Sequence, residues 1–244
     1  MLREMIRAIV FDVDGTMAET EELHRRAFNE AFAERGLGWI WDRPTYARLL
    51  ATTGGRERIA AHASSLGMTV DAASIHRCKT DIYKRLLRDG GIELRPGIAA
   101  LIGHARAIGL SLAIGTTTSR PNVVSLLDVT LGAGSASQFS SICTGEDVFA
   151  KKPDPEVDHL VLAELGLKGS ECMCIEDSRN GLLAALAAGM PTVVTPSLYS
   201  AGEDFSGATQ IVQRPPDSLP APPMPHAFLD GAPVHAILGL LKGE

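Results

Sequence analysis

Short apolar runs alternate with helix-length segments along most of this 244-residue chain, and this alternation constrains the fold more than any other feature. Strands that are apolar on both sides belong to a parallel sheet with helices on both faces. The chain is therefore predicted to be an α/β protein with a doubly wound, Rossmann-like core. The predicted strands are 6–11, 110–115, 139–143, 172–175, 190–195 and 208–212, and the predicted helices between the later strands are 97–108, 121–131, 155–166 and 179–189.

A helical block interrupts the alternation directly after the first strand. Residues 20–35 carry apolar side chains at helical spacing, with Thr20 in position to cap the helix. Residues 43–88 keep a helical pattern, and a turn-rich hinge follows at 89–97. We interpret the block as a cap domain inserted into the core. The predicted organisation is an α/β core of residues 1–17 and 92–212, a helical cap of residues 18–91, and a C-terminal segment of residues 213–244.

The C-terminal segment is set apart by its proline content, because residues 213–233 contain seven of the 14 prolines. Proline rigidifies the backbone and donates no amide hydrogen bond, which predicts an extended surface segment. Residues 235–241 could form a short docking helix. We assign no chemistry to this segment.

The net charge and the cysteine content limit the cellular compartment and the classes of binding partner that we expect for this chain. The net charge of −6 argues against a nucleic-acid footprint, and no apolar stretch approaches the ~18 residues of a membrane span. The sequence carries no signal-peptide pattern, and its four cysteines form no metal-type pair and fit reduced, buried thiols. We expect a cytoplasmic, monomeric protein that binds neither nucleic acid nor membrane.

The first apolar strand ends in two aspartates, Asp12 and Asp14, which are followed by Gly15 and Thr16. Residues two apart on a strand point the same way, and two buried like charges in mid-strand would be very costly. At the carboxyl end of a parallel strand they would instead face the crevice where α/β sheets bind ligands. Taken alone, the pair fits a turn or helix cap as well as an active site. A calcium loop fits poorly, because its glycine and glutamate positions are not matched.

Three other predicted strands also end in polar residues. Thr116 to Ser119 offer hydroxyls and free amides before a helix, which suits a phosphate, although a plain N-cap run is the alternative. Lys152 precedes a proline-started helix and could neutralise a phosphoryl group, whereas Lys151 is expected to be solvated. Glu176 and Asp177 close the fourth strand. Carboxylates gathered beside a phosphate repel one another without a cation, and oxygen ligands favour Mg²⁺.

The ordered set of Asp12-Val-Asp14-Gly-Thr, Thr116, Lys152-Pro and Glu176-Asp177 resembles the four motifs of the haloacid dehalogenase superfamily. The resemblance spans about residues 5–200 and is to the branch with a helical cap after the first motif. It implies that Asp12 is the nucleophile that forms an aspartyl phosphate. Asp14 would protonate the leaving oxygen and then activate water.

The same resemblance implies the remaining core roles. Mg²⁺ would be held by the Asp12 carboxylate, the Asp14 backbone carbonyl and Asp177, with Glu176 binding the metal directly or through a neighbour. Thr116 and Lys152 would bind the transferring phosphoryl oxygens. Dehalogenases of the superfamily lack the second aspartate, so Asp14 favours phosphate chemistry.

Segments in the cap are similar to the CbbY-type phosphatases, which hydrolyse xylulose 1,5-bisphosphate, an inhibitory by-product of Rubisco in the Calvin cycle. The similar segments are residues 19–29, 39–43, 52–59 and 116–119. A bisphosphate needs a second anion site away from the metal. The resemblance implies a substrate-binding set of Glu21, His24, Tyr46, Gly55, Arg56, Arg58, Lys79, Thr117, Thr118 and Ser119.

Within this set, Arg56, Arg58 and Lys79 offer donors for the second phosphate, and His24, Glu21 and Tyr46 could reach sugar hydroxyls. Ordinary structural roles stay open for several members. Arg58 or Lys79 could be a solvated helix charge, His24 a satisfied interface histidine, and Glu21 a first-turn helix charge.

Two other functions share these motifs. A β-phosphoglucomutase-like enzyme would use the aspartyl phosphate to phosphorylate a sugar, and a non-catalytic sensor would only bind the sugar phosphate. A phosphatase for another small phosphosugar is a further alternative. One departure from the family pattern, Glu156-Val157-Asp158-His159 after Pro155, is expected to affect helix capping and not the reaction.

Overall fold

A computed structural model describes residues 6–212 of the chain. Its six described strands form one parallel sheet in the order β3-β2-β1-β4-β5-β6, so the chain reverses its direction of winding between β1 and β4. The predicted doubly wound core is confirmed, and every predicted strand is present with shifted or shortened ends. The strands are β1 (Ala8–Phe11), β2 (Ser111–Gly115), β3 (Ser141–Cys143), β4 (Cys172–Glu176), β5 (Thr192–Val194) and β6 (Gln210–Ile211).

The described residues also form eight α-helices. Five of them lie in the chain between β1 and β2. The first four fall within the predicted inserted block, and the first of these packs along the fourth. The exact domain boundaries stay a prediction. The helices are α1 (Glu21–Glu34), α2 (Arg43–Leu49), α3 (Gly55–Ser65), α4 (Ala72–Gly90), α5 (Ile98–Ala107), α6 (Arg120–Leu131), α7 (Glu156–Leu165) and α8 (Arg179–Ala187).

Strand register brings the polar strand ends to one edge of the sheet. Phe11 of β1 is paired with Ile114 of β2 and with Ile175 of β4. The residues that follow each of these three positions therefore emerge side by side. This edge lies at the point where the strand order reverses, the usual ligand position in doubly wound sheets.

Aromatic side chains form the interior of the inserted helices. Trp41 is fully buried, with its ring centroid 4.8 Å from that of Phe28 and 4.7 Å from that of Phe32. The next residue, Asp42, caps α2 by accepting a hydrogen bond from the Thr45 amide at 2.8 Å. The Trp-x-Trp-Asp-Arg segment thus packs the inserted helices together and caps α2.

The prediction that the Thr20 side chain caps α1 is wrong. Thr20 does stand at the N-cap position, but its hydroxyl makes no capping bond and donates to Asp14 Oδ1 at 2.6 Å. A capping hydroxyl would accept from an amide of the first turn, and a residue that caps in this way normally has extended backbone angles. Thr20 has helical angles instead, with φ of −91° and ψ of −10°.

The proline-rich segment and the docking helix predicted for residues 213–244 lie outside the described residues. Among residues 6–212, no helix combines the length and apolar character needed to cross a bilayer.

Candidate active site

Three buried carboxylates meet at the carboxyl edge of the sheet. One oxygen each from Asp12, Glu176 and Asp177 lies within 4.8 Å of the others. Lys152 reaches them from the loop after β3, with Nζ 3.1 Å from Asp12 Oδ1 and 2.5 Å from Glu176 Oε1. The same ammonium donates to the Gly115 carbonyl at 2.7 Å. A single lysine therefore faces three carboxylates.

The charge balance of this centre favours a bound cation. Burial raises the pKa of Glu176 to about 8, against the lowering effect of Lys152. Burial, with the nearby Asp12 charge, raises the pKa of Asp177 well above its usual range. Buried carboxylates that converge in this way are the donor set of a hard divalent cation such as Mg²⁺. The centre thus fits a metal ion, with Asp12, Glu176 and Asp177 as the side chains able to hold it.

The turn directly after Asp14 brings the backbone close to this centre. Gly15 has φ of 81°, and a Cβ at that position would collide with the Asp177 carboxylate. Glycine satisfies both requirements, the left-handed backbone and the close approach.

The hydroxyl-rich run after β2 lies beside the nucleophile candidate. Thr116, Thr117 and Thr118 line the cavity at the start of α6, and the Thr116 hydroxyl lowers the pKa of the neighbouring Asp12 carboxyl, against the larger effect of burial. Ser119 is buried but does not line the cavity, and no described group hydrogen-bonds to its hydroxyl. The run thus offers three threonines to a phosphate, and the role predicted for Ser119 stays a prediction.

Asp14 occupies a different environment from Asp12. Its Oδ1 accepts from Thr20 at 2.6 Å and from His24 Nε2 at 2.8 Å. Burial opposes its negative charge, but His24 and the bond from Thr20 outweigh burial and hold the pKa of Asp14 below its usual value. Asp12, by contrast, has its pKa raised, because burial outweighs the effect of Lys152. Two neighbouring carboxyls with pKa values moved apart are suited to different tasks.

His24 links Asp14 to a buried lysine of α4. Lys79 Nζ lies 2.5 Å from His24 Nδ1, and the His24 ring stacks on Tyr83 with centroids 4.1 Å apart. Burial and the charge of Lys79 lower the pKa of His24 to about 4. The neutral ring therefore accepts at Nδ1 and donates from Nε2 to Asp14. Lys79 is buried, so it is not a solvated helix charge. His24 has a partner at each ring nitrogen, so the alternative of a satisfied interface histidine stays open.

A second polar group faces the same cavity from α1, α2 and α3. The Tyr46 hydroxyl donates to Glu21 Oε2 at 2.8 Å and accepts from Arg58 at 3.3 Å. Arg58 Nε also donates to the carbonyls of Leu49 and Thr52, both at 3.1 Å. Arg58 is thus buried and fixed in place. Burial and the Asp14 charge raise the pKa of Glu21 to about 7.

One cavity joins these two groups. The predicted residues that line it are Asp12, Asp14, Glu21, His24, Tyr46, Gly55, Arg58, Lys79, Thr116, Thr117, Thr118, Lys152 and Asp177, whereas Glu176, Ser119 and Arg56 do not line it. Arg56 lies elsewhere, because its side chain is 61% exposed and pairs with Glu57 at 3.0 Å. A role for Arg56 in binding the second phosphate stays a prediction.

Several lining residues were not predicted from the sequence. They include Thr53, His76, Asn180, Tyr199, Ser200 and Glu203. His76 stands one turn before Lys79 on α4, so helical spacing could have found it. Tyr199 and Ser200 follow the end of β5, where the strand-end argument used for the other strands also applies.

The expectation that the 156–159 departure affects the capping of α7 is wrong, because no side chain of these four residues makes a capping bond at the start of this helix. Glu156 accepts from the amides of Phe149 and Ala150, which fixes the loop before α7. Asp158 is fully buried behind the site, where its Oδ1 lies 3.2 Å from the position that a Cβ on Gly115 would take.

Comparison with known proteins gives concordant results. The family model for haloacid dehalogenase-like hydrolases matches residues 6–189. Protein CbbY of Rhodobacter capsulatus is 48% identical over 206 residues, which cover 83% of this chain and 91% of that protein. Two crystal structures of CbbY from Rhodobacter sphaeroides are 47% identical with a TM-score of 0.82, covering 85% of this chain and 94% of theirs.

One of these crystal structures is a complex with phosphate, and the other is an aspartate-to-asparagine mutant in complex with xylulose 1,5-bisphosphate. A β-phosphoglucomutase from Clostridium difficile has a TM-score of 0.72 at 20% identity, covering 85% of this chain and 91% of its own. That likeness extends to the fold alone.

Proposed function

This chain is a phosphatase that belongs to the haloacid dehalogenase-like hydrolase family, and on that premise we propose that it hydrolyses xylulose 1,5-bisphosphate to xylulose 5-phosphate. The proposal rests above all on one observation. A single cavity joins the carboxylate–lysine centre to a wall that carries Arg58 and Lys79. A sugar with a phosphate at each end matches cationic groups on both sides of the cavity. The complex of CbbY from Rhodobacter sphaeroides with this bisphosphate supports the same substrate.

In the first half of the proposed reaction, an Asp12 carboxylate oxygen attacks phosphorus and forms an aspartyl phosphate. The bond from phosphorus to the sugar oxygen breaks, and that oxygen takes a proton from Asp14. A phosphate dianion near Asp14 raises the pKa of this carboxyl, which allows it to carry the proton when substrate is bound. The covalent step divides one difficult displacement into two easier ones.

In the second half, water attacks phosphorus and passes a proton to Asp14, which now acts as a base. Phosphate leaves, and the Asp12 carboxylate is restored. Lys152 and the threonines after β2 bind the phosphoryl oxygens throughout and stabilise their charge. Mg²⁺ held by Asp12, Glu176 and Asp177, with the Asp14 carbonyl as a further ligand, would neutralise the charge of the carboxylates and the phosphoryl group.

A substrate panel tests the proposal. Phosphate release is measured with Mg²⁺ for xylulose 1,5-bisphosphate, xylulose 5-phosphate, phosphoglycolate and β-glucose 1-phosphate. We expect kcat/KM for the bisphosphate to exceed that for each monophosphate by at least about tenfold, because only it meets charged groups on both walls. Equal or higher values for a monophosphate would reject the substrate. Formation of glucose 6-phosphate would instead identify a mutase.

Metal removal tests the cofactor separately. Dialysis against EDTA is expected to abolish phosphate release while far-UV circular dichroism stays unchanged, and added Mg²⁺ should restore activity. Full activity in EDTA would reject the metal requirement and leave the substrate result untouched.

A further inference from the structure

The loop after β5 is fixed to the metal centre at its buried side. The Ser200 hydroxyl donates to the Asp177 backbone carbonyl at 2.7 Å and approaches Asp177 Oδ2 at 3.5 Å. Ser197 supports it, since the Ser197 amide donates to Ser200 Oγ at 2.8 Å. Both serines are buried. The loop therefore holds one defined position relative to the carboxylates.

The start of the loop is fixed to the first motif as well. Arg95 donates to the carbonyls of Thr195, at 2.7 Å, and Pro196, at 3.0 Å. The same guanidinium donates to the Gly15 carbonyl. Arg95 thus holds both the loop after β5 and the segment of residues 12–15 in place.

Between these anchors, Tyr199 points away from the core toward α1. Its hydroxyl donates to Glu22 Oε1. Two arginines hold Glu22 in place. Arg25 Nη2 lies 3.0 Å from Glu22 Oε2, and Arg43 Nε lies 3.2 Å from Glu22 Oε1. The acceptor is therefore ionised and rigid, and a phenol bound to it is fixed in direction.

Tyr199 also contacts the substrate side of the inserted helices. Its ring meets the Tyr46 ring edge-on, with centroids 5.7 Å apart and an angle of 90° between the planes. Tyr46 in turn carries the hydrogen bonds to Glu21 and Arg58. One side chain of the sheet edge thus connects the metal centre to the wall that faces it across the cavity.

We propose that Tyr199 is a positioning residue that sets where the Tyr46–Glu21–Arg58 group stands relative to the reacting phosphate. It acts through Glu22 and Tyr46 and makes no chemical contribution of its own. Its effect falls on substrates that reach that group, and not on small phosphate esters that occupy only the carboxylate–lysine centre. The inference requires phosphatase activity but not the identity of the sugar.

The test uses Tyr199→Phe, which removes one hydroxyl and keeps the ring, and Glu22→Gln, which keeps the shape of the acceptor. Each is measured with the sugar phosphate that the wild-type protein turns over best and with phenyl phosphate. We expect each single variant to lower kcat/KM for the sugar phosphate about tenfold, the loss of one hydrogen bond to a charged group. The kcat/KM for phenyl phosphate should stay within about twofold of the wild-type value. Its phenyl ring carries no sugar hydroxyls and no second phosphate, so it makes no contacts that depend on the Tyr46–Glu21–Arg58 group.

The double variant Tyr199→Phe, Glu22→Gln shows whether the two side chains act through their common hydrogen bond or independently of each other. If Tyr199 and Glu22 act through their hydrogen bond, the double variant loses no more than either single variant. Leu198→Ala, an exposed neighbour in the same loop, is the control and should match wild type on both substrates. Three results would each overturn the proposal. They are a kcat/KM in the double variant that falls by the product of the two single losses, an equal fall in kcat/KM for both substrates, and an unchanged kcat/KM in Tyr199→Phe. A wild-type preference for another sugar phosphate would reject the proposed substrate and leave this inference standing.

Discussion

Asp158 is a buried charge that destabilises the folded chain, and Asp158→Asn isolates its effect. The side chain is fully buried on α7, and no described group hydrogen-bonds to either carboxylate oxygen. Burial raises its pKa from the usual 3.8 to about 6, against the lowering effect of Lys152. Ionising this carboxyl is therefore harder in the folded protein than in the unfolded chain.

The magnitude follows from linkage. A pKa that rises from 3.8 to about 6 on folding corresponds to about 3 kcal/mol, at about 1.36 kcal/mol per unit. The sign follows because the folded state binds this proton more tightly. The stabilising contribution of the protonated carboxyl is complete below pH 3.8 and is lost as pH rises through 6. At pH 7 nearly the whole contribution is absent.

The assay is urea unfolding of wild type and Asp158→Asn at several pH values between 4 and 7. Because the other groups are common to both proteins, the difference in unfolding free energy isolates Asp158. We expect the variant to gain about 2 kcal/mol relative to wild type between pH 4 and pH 7. Asp89→Asn, at an exposed carboxylate, should run parallel to wild type. Parallel curves for Asp158→Asn would refute the reasoning.

Three further substitutions test individual contacts. Thr20→Val removes the 2.6 Å bond to Asp14 and should lower kcat about tenfold or more with a smaller change in KM, as measured by steady-state kinetics. Unchanged kcat would show that this bond does not tune the proton carrier. Arg58→Lys leaves two backbone carbonyls without their donor and should reduce the unfolding free energy in urea by about 1–3 kcal/mol. Gly181→Ala puts a Cβ into the Glu176 carboxylate and should raise the Mg²⁺ concentration needed for half-maximal activity. An unchanged requirement would separate Glu176 from the metal.

The core and its carboxylate centre could be predicted from sequence because both depend on short-range rules. Apolar strands separated by helices dictate a parallel sheet, and such a sheet brings its carboxyl ends to one edge. That rule predicts that Asp12, Lys152 and Asp177 lie together at this edge, and it needs no information about side-chain packing. The resemblance to the haloacid dehalogenase superfamily and to its CbbY-type members is confirmed.

The inserted helices were harder to interpret, because a helical pattern does not say which face meets the core. Arg56 and Arg58 look alike in sequence, but the structure buries Arg58 against backbone carbonyls and leaves Arg56 paired with Glu57. Thr20 has the signature of a helix cap, and only the fold shows that its hydroxyl donates to Asp14 and makes no capping bond. Asp158 stands out in the sequence only as a departure from the family pattern, and its burial could not be predicted because it depends on how α7 packs on the sheet.

Turnover of xylulose 1,5-bisphosphate by Asp12→Asn tests the central claim most directly. The substitution keeps the size of the side chain but removes the attacking carboxylate. With Mg²⁺ present, we expect phosphate release to fall by at least about 1,000-fold relative to wild type, while the variant stays folded by circular dichroism and still binds the bisphosphate in calorimetry. Phosphate release within about tenfold of wild type would contradict the role of Asp12 as nucleophile, since losing a covalent step costs far more than that.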